Sequence, residues 1–333
     1  MSKLNEIISN LKTNEVFIQT HNFPDPDAIS SAFGLQYLLK VNGIEATICY
    51  KGKIDRYNTR KMMELFGIRA VNVDRLGDSI KDRKIILIDA QKGSGNTYEL
   101  DNEGVMSIDH HPIFEHYEYI YEDIRDNVGA CASIIASYFF ENNIEMPTNV
   151  ATALLYGIKI DTAQLTRRVS DLDLDMFYKL FHKADKEKVA FLESNSIQLE
   201  DLKAYGSAIE SISVEDYVSF ANTGKDCPEA LIAEVADFMI EIQNVYFSVV
   251  YSVRCDGIKI SARSEENSGI NAGEVVIKAL EGLGTGGGHD TVAGGYVSLR
   301  GVAESAEVLI TRIKSNFKKI LEIYFKTEIR QVI

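Results

Sequence analysis

The chain has 333 residues, 45% hydrophobic and 25% charged, with 5 Pro, 23 Gly and no Trp, which suits two ordinary globular domains and excludes a disordered or fibrous protein. No apolar run approaches the roughly 20 residues needed to cross a bilayer, and the amphipathic start, Met1-Ser2-Lys3-Leu4-Asn5-Glu6-Ile7-Ile8, has no secretory h-region, so a cytoplasmic protein without a membrane partner is expected. A net charge of −14 excludes coating of long duplex DNA, which needs a basic face to release counterions, but admits a small anionic substrate where local charges and bound cations decide.

In chain order, Val16-Phe17-Ile18-Gln19-Thr20 predicts a strand and residues 28–42 a helix stopped by Gly43. A strand over 46–50 and a helix near 58–66 follow. The short apolar runs Ile85–Ile88 and Val105–Ile108 read as strands buried on both faces. Helices are expected at 130–142 and 148–158, and Ser170-Asp171-Leu172-Asp173 opens another, to about His182, with a capping box. This alternation implies a parallel α/β sheet with helices on both faces. Residues 186–212 are polar and helical in pattern and read as a connecting helix. Beyond them the chain changes character. A helix near 228–241 precedes two β-rich runs, 246–254 and 258–263, around Cys255-Asp256-Gly257, a hairpin signal for a partly antiparallel sheet. A helix near 272–281, the stretch Gly282-Leu283-Gly284-Thr285-Gly286-Gly287-Gly288-His289, a strand near 294–299 and a long helix close the chain. Cys49, Cys131, Cys227 and Cys255 make no Cys-x-x-Cys pair, so reduced thiols fit better than disulfides or a thiolate zinc site.

Chemistry concentrates in four segments, each at or just past the end of a predicted strand or buried apolar run: His21-Asn22-Phe23-Pro24-Asp25-Pro26-Asp27, Asp89, Asp109-His110-His111 and Asp161-Thr162. The carboxyl edge of a parallel sheet is where ligands bind, so these segments can converge on one crevice. Asp25, Asp27, Asp89 and Asp161 packed together repel unless cations lie between them. Oxygen and imidazole donors without thiolate point to Mn²⁺, with Mg²⁺ as the alternative. Two such ions suit hydroxide attack on phosphorus. A single Asp after a strand is more often a helix cap or turn residue; the ordered set of four is what carries the reading. His116 and His182 lie outside it and read as surface residues. Gly284–His289 matches neither a P-loop nor a dinucleotide fingerprint and reads as a turn, or as a cradle for an anion with His289 and Arg263. Lys53, Arg56, Arg60 and Lys61 read as a solvated helix face. Arg167 and Arg168 are better placed to meet a polyanion.

As a set, these motifs resemble the DHH phosphoesterase family, and among its members the compact NrnA-type oligoribonucleases and phosphoadenosine-phosphate phosphatases. The resemblance implies a DHH metal-binding domain over 1–190, a connecting helix over 191–212 and a smaller mixed-sheet DHH-associated domain over 213–333, with the active site in the cleft between domains. It further implies that His21 and Asp25 hold one Mn²⁺ and that Asp89 bridges to a second held by Asp27, His110 and Asp161. His111 then faces the scissile phosphate and Asp109 orients the motif. Ser261, Arg263, Gly286, Gly287, Gly288 and His289 match substrate-binding positions. The implied substrates are very short oligoribonucleotides, linear dinucleotides or phosphoadenosine phosphate, and the implied assembly is a homodimer. Pro26, the Ala163-Gln164 pair after Asp161-Thr162, Asp290 and Gly294 depart from the usual pattern at positions lining the same cleft, without removing an implied metal ligand. The rival readings are an inorganic pyrophosphatase or polyphosphatase of the same superfamily, a long-strand exonuclease for which the chain is too short and too acidic, and a non-catalytic nucleotide sensor.

Overall fold

The computed structural model describes residues 2–100, 104–113, 115–194, 197–301 and 304–327. The chain divides into two compact units, Met1–Ser196 and Ile197–Ile333. Among the described residues no helix is long and apolar enough to cross a membrane.

In chain order the first unit runs α1 (Lys3–Leu11), β1 (Glu15–Thr20), α2 (Pro26–Val41), β2 (Glu45–Tyr50), α3 (Tyr57–Phe66), β3 (Ala70–Asn72), β4 (Ile85–Ile88), β5 (Val105–Asp109), β6 (Tyr121–Ile124), α4 (Cys131–Glu141), α5 (Thr148–Asp161), α6 (Asp171–Lys183) and α7 (Lys186–Glu193). Six strands form one sheet in the order β3-β2-β1-β4-β5-β6, every pair parallel. Alternation sends Ile18, Ile48, Ile86, Ile88, Met106 and Ile108 into a core built with the α-helices. Phe17, Cys49, Ile85, Leu87 and Val105 face the other way. There the cover is two short 3₁₀ helices, Val73–Arg75 and Gly77–Ile80, and irregular chain. Helical segments therefore lie on both faces, but the α-helices are on one. The strand order reverses between β1 and β4. Their carboxyl ends open a crevice at that switch point, the usual ligand position in such sheets.

The second unit comprises α8 (Leu202–Ser211), β7 (Ser213–Glu215), β8 (Val218–Lys225), α9 (Glu229–Ile240), β9 (Phe247–Val253), β10 (Gly257–Ser264), α10 (Ala272–Ala279), β11 (Thr285–Gly288), β12 (Val292–Ser298) and α11 (Ala306–Thr327). Its sheet has the order β11-β12-β10-β9-β8-β7. Only β8 and β9 run parallel, so the sheet is mixed. Phe247, Val249, Ile258, Ile260 and Ala262 pack with α10 and α11, while Ala221 and Val250 pack with α8 and α9.

Residues 191–212 are not one connecting helix. The helix α7 ends at Glu193, where the Lys61 ammonium donates to the carbonyls of Phe191 and Ser194. The helix α8 starts at Leu202 and buries Ala204 and Ala208 in the second unit's core. The Gly-rich stretch is also more regular than a turn, since Thr285–Gly288 is an edge strand.

Candidate active site

Seven of the expected residues come from the carboxyl edge of the first sheet. His21 follows β1. Asp25 caps α2, its Oδ1 accepting from the amides of Asp27 and Ala28, with Pro26 in the first turn where no amide donor is needed. Asp89 follows β4 with φ 55°, a left-handed conformation that costs a non-glycine residue about 1 kcal/mol, while its amide still bonds to the Ile108 carbonyl at 2.9 Å. Asp109 is the last residue of β5 and leads into His110 and His111. Asp161 arrives differently, as the last residue of α5. The Arg167 guanidinium holds its carbonyl at 3.1 Å.

Around the crevice, His21 Nε2 lies 3.6 Å from Asp89 Oδ2 and 3.9 Å from Asp25 Oδ1. His110 Nε2 lies 3.2 Å from Asp89 Oδ1, 3.3 Å from Asp161 Oδ2 and 3.9 Å from Asp27 Oδ2. The donors fall into the groups His21, Asp25, Asp89 and Asp27, His110, Asp161, with Asp89 also near Asp109, His110 and His111.

The donor chemistry fits divalent cations. His21 Nδ1 bonds to the Asn22 carbonyl at 2.8 Å, and His110 Nδ1 to the Val128 carbonyl at 3.1 Å. A carbonyl only accepts, so each Nδ1 carries a proton, and Nε2 is the atom that presents a lone pair once the ring is neutral. Among the described residues, Asp89 Oδ1 and His110 Nε2 are buried without a hydrogen-bond partner. Two orphaned atoms 3.2 Å apart are costly unless a ligand satisfies both. Burial disfavours the charged form of His21, but Asp25 and Asp89 reverse this and push its pKa up to about 9. Burial likewise opposes charge on His110, and Asp89, Asp161 and Asp27 drive it well above the ordinary value. Burial, then neighbouring carboxylates, raise Asp27; burial raises Asp161, although His110 opposes it. The upward shifts of His21, His110, Asp27 and Asp161 mark a cluster rich in carboxylates relative to its own cations, the condition divalent ions relieve.

The structure adds supports that no motif marked. Asp27 is fully buried, and its carboxylate accepts from the first amides of α4, Cys131 at 2.7 Å and Ala132 at 2.9 Å. A helix N-terminus thus fixes one donor. Asp109 accepts from the His110 amide and from His111 Nδ1, both at 2.8 Å, and from Gln91 Nε2 at 2.7 Å. Burial raises the Asp109 carboxyl, but His111 and His110 overcome it and bring its pKa down to about 2. Its oxygens are therefore engaged in orienting His111, which remains part-exposed. Gln91 also bonds to the His111 carbonyl at 3.0 Å. Only its place two residues past Asp89 could have signalled it. His116 and His182 are exposed, away from the donor groups.

The remaining expected residues belong to the second unit. Ser261, Gly294 and Gly287 are register partners across β10, β12 and β11. A Cβ on Gly287 would meet nothing within 4 Å, whereas one on Gly286 would meet Val276 Cγ1 at 2.5 Å. Gly286 therefore lets α10 pack, and Gly287 leaves the opposite face bare beside Ser261. Arg263 is buried against α9, with Nε 2.5 Å from Asp237 Oδ1, Nη1 2.9 Å from Ser261 Oγ and Nη2 3.2 Å from the Ala233 carbonyl. Gly288 and His289 shape the turn into β12, the His289 and Asp290 carbonyls accepting from Gly273 and Ala272 at the start of α10.

Comparison with known proteins follows the same division. The profile of the DHH family N-terminal domain matches residues 15–158, and that of the DHHA1 domain matches residues 215–319. An uncharacterized protein of Methanocaldococcus jannaschii is 31% identical over 97% of this chain, which spans 65% of that relative's length. A cyclic-di-AMP phosphodiesterase of Listeria monocytogenes is 26% identical over 95% of the chain and 49% of its own length. A probable manganese-dependent inorganic pyrophosphatase of Streptococcus thermophilus is 31% identical over 46% of the chain and 49% of its own length. In fold, the crystal structure of an exopolyphosphatase-related protein from Bacteroides fragilis matches 97% of both chains with a TM-score of 0.77 at 17% identity.

Proposed function

Since the chain belongs to the DHH family, its two matched domains covering most of its length, we propose that it is a Mn²⁺-dependent phosphoesterase acting on very short oligoribonucleotides or linear dinucleotides, and on phosphoadenosine phosphate. The observation that carries this is the buried pair of orphaned donors, Asp89 Oδ1 and His110 Nε2, amid four carboxylates. In this reading His21, Asp25 and Asp89 hold one ion, and Asp89, Asp27, His110 and Asp161 hold a second. Bound there, the ions supply charge neutralisation at phosphorus and an acidified water. His111, oriented by Asp109, faces the scissile group and steadies charge or a proton at Nε2. In the second unit, Arg263 is preorganised by Asp237, and the bare row Ser261–Gly294–Gly287 lets a flat ligand approach the backbone, with Gly286, Gly288 and His289 shaping its border.

The nucleotide reading is favoured by a cyclic-di-AMP phosphodiesterase that aligns over nearly the whole chain, where the pyrophosphatase aligns over less than half. The test is a metal-stripped sample given Mn²⁺ and, separately, linear diadenylate, a short RNA, a long RNA, phosphoadenosine phosphate and pyrophosphate. Mononucleotides from the short substrates, with little product from long RNA, are expected. Orthophosphate from pyrophosphate alone would move the assignment to pyrophosphatase, and saturable nucleotide binding without product to a sensor.

A further inference from the structure

The basic run Lys53, Arg56, Arg60 and Lys61, which the sequence alone presents as one solvated helix face, separates in the structure into two kinds of residue. Lys61 is buried and closes the end of α7. Arg60 braces the loop before α3 through the Ile54 and Asp55 carbonyls. The side chains of Lys53, Arg56 and Arg75 have no hydrogen bond or ion pair among the described residues. Unpaired cations clustered in a chain of net charge −14 are unusual. Lys53, Arg60 and Arg75 line a cleft of about 610 Å³ with Tyr50, Gly52 and Asn72. The Asp74 carboxylate in that cleft is already taken by Lys51. Tyr50 and Asn72 end β2 and β3, so the cleft opens on the same sheet edge as the metal-binding segments.

A second observation joins the cleft to those segments. Phe23, in the loop between His21 and Asp25, has φ 57° and leaves 51% of its surface exposed. Its amide bonds to the Lys51 carbonyl at 3.2 Å, and its ring covers Gly52, where a Cβ would meet Phe23 Cε1 at 3.0 Å. A strained backbone that holds an aromatic ring half in solvent, beside a positively charged cleft, combines a stacking platform with an anion site. The arginines expected to meet a polyanion are committed elsewhere, Arg167 to the Asp161 carbonyl and Arg168 to the Asp126 carbonyl.

We propose that Phe23 and the Lys53–Arg75 cleft form a nucleotide subsite of the first unit, stacking a base on the ring and holding a phosphate other than the one cleaved. The inference rests on the phosphoesterase reading for its meaning and selects, within it, substrates that carry a second phosphate. The chain has no Trp, so Phe23→Trp creates a single fluorescent reporter. AMP is expected to quench it to saturation, adenosine only at about 10-fold higher concentration, and inorganic phosphate is expected to displace AMP without quenching. Adding Lys53→Ala and Arg75→Ala should move the AMP curve about 10-fold higher. Absence of quenching, or a curve unmoved by the two charge removals, overturns the subsite. With Phe23 intact, the double variant should lower kcat/KM for a 5′-phosphorylated diadenylate about 10-fold through KM and leave the unphosphorylated one unchanged; equal loss on both also overturns it. The binding readout needs no turnover, so a chain that hydrolyses neither dinucleotide yet binds AMP in this way rejects the substrate assignment and keeps the subsite.

Discussion

The two sheets assemble polar residues in opposite ways. In the first unit, His21, Asp25, Asp27, Asp89, His110 and Asp161 lie far apart in sequence and meet at the switch point of a parallel sheet with their charges unbalanced and two donor atoms unsatisfied. In the second, Ser261 and Arg263 come from one strand and Gly287 from the edge strand two places over, and the buried Arg263 is already matched by Asp237. The first arrangement leaves donors and charge that a cation could satisfy, while the second has its buried charge already paired. An unpaired buried polar group points to a missing partner, and a fully paired one to preorganisation.

The largest effect that would test this contrast is at Asp89. Asp89→Asn should reduce phosphoester hydrolysis on the order of 1,000-fold or more, as expected for a group shared between metal sites, yet raise the thermal stability of the metal-free chain by easing repulsion. A metal-free variant that melts lower than wild type breaks that half of the contrast. Asp27→Ala should behave oppositely towards stability, destabilising the metal-free chain by about 2–3 kcal/mol because it strips the cap from two buried amides; chemical denaturation compares the two. Asp109→Ala should lower activity about 10–100-fold with Mn²⁺ content nearly intact, since Asp109 orients His111. In the second unit, Arg263→Lys should raise KM about 10-fold with little change in kcat, the ammonium being unable to keep both Asp237 and a ligand. Smallest is the glycine pair. Gly286→Ala should destabilise by about 1–3 kcal/mol where α10 packs, whereas Gly287→Ala should leave the melting temperature unchanged and raise KM.

The pH profile sharpens the same contrast. His21 must lose a proton to accept an ion, and its carboxylate neighbours raise its pKa from 6.5 to about 9. Mn²⁺ affinity should therefore climb between pH 7 and 9 and level off above. The metal-free chain should lose stability over the same interval, because a raised pKa contributes fully below the unfolded value and is lost as pH rises through the folded one. Calorimetric titration at three pH values checks both, and an affinity independent of pH contradicts the cluster's charge imbalance.

Much of the first site was legible because strand ends, Asp-rich turns and Asp-His-His are local patterns that a parallel sheet brings together. The capping box is present as expected, Ser170 and Asp173 bonding reciprocally. What escaped was set by contacts across the fold. Gln91, the α4 amides on Asp27 and the Asn22 and Val128 carbonyls that fix the imidazole tautomers have no composition signal. Charge runs misled: Lys61 caps a distant helix and Arg60 braces the loop before α3, though they are neighbours in sequence. The short strands β3, β6 and β7 are too brief for periodicity to register, and β11, a run of Thr and Gly, has little intrinsic strand preference and is held by pairing with β12.

The central claim is that the buried carboxylate–histidine cluster of the first unit is a divalent-metal phosphoesterase centre. It is tested most directly by equilibrium dialysis of the metal-stripped chain against Mn²⁺, with hydrolysis of linear diadenylate followed in the same samples for wild type and Asp89→Asn. Two Mn²⁺ per wild-type chain, AMP release rising in step with loading, and loss of both in the variant are expected. Full hydrolysis by the unloaded chain, or by Asp89→Asn, would contradict it.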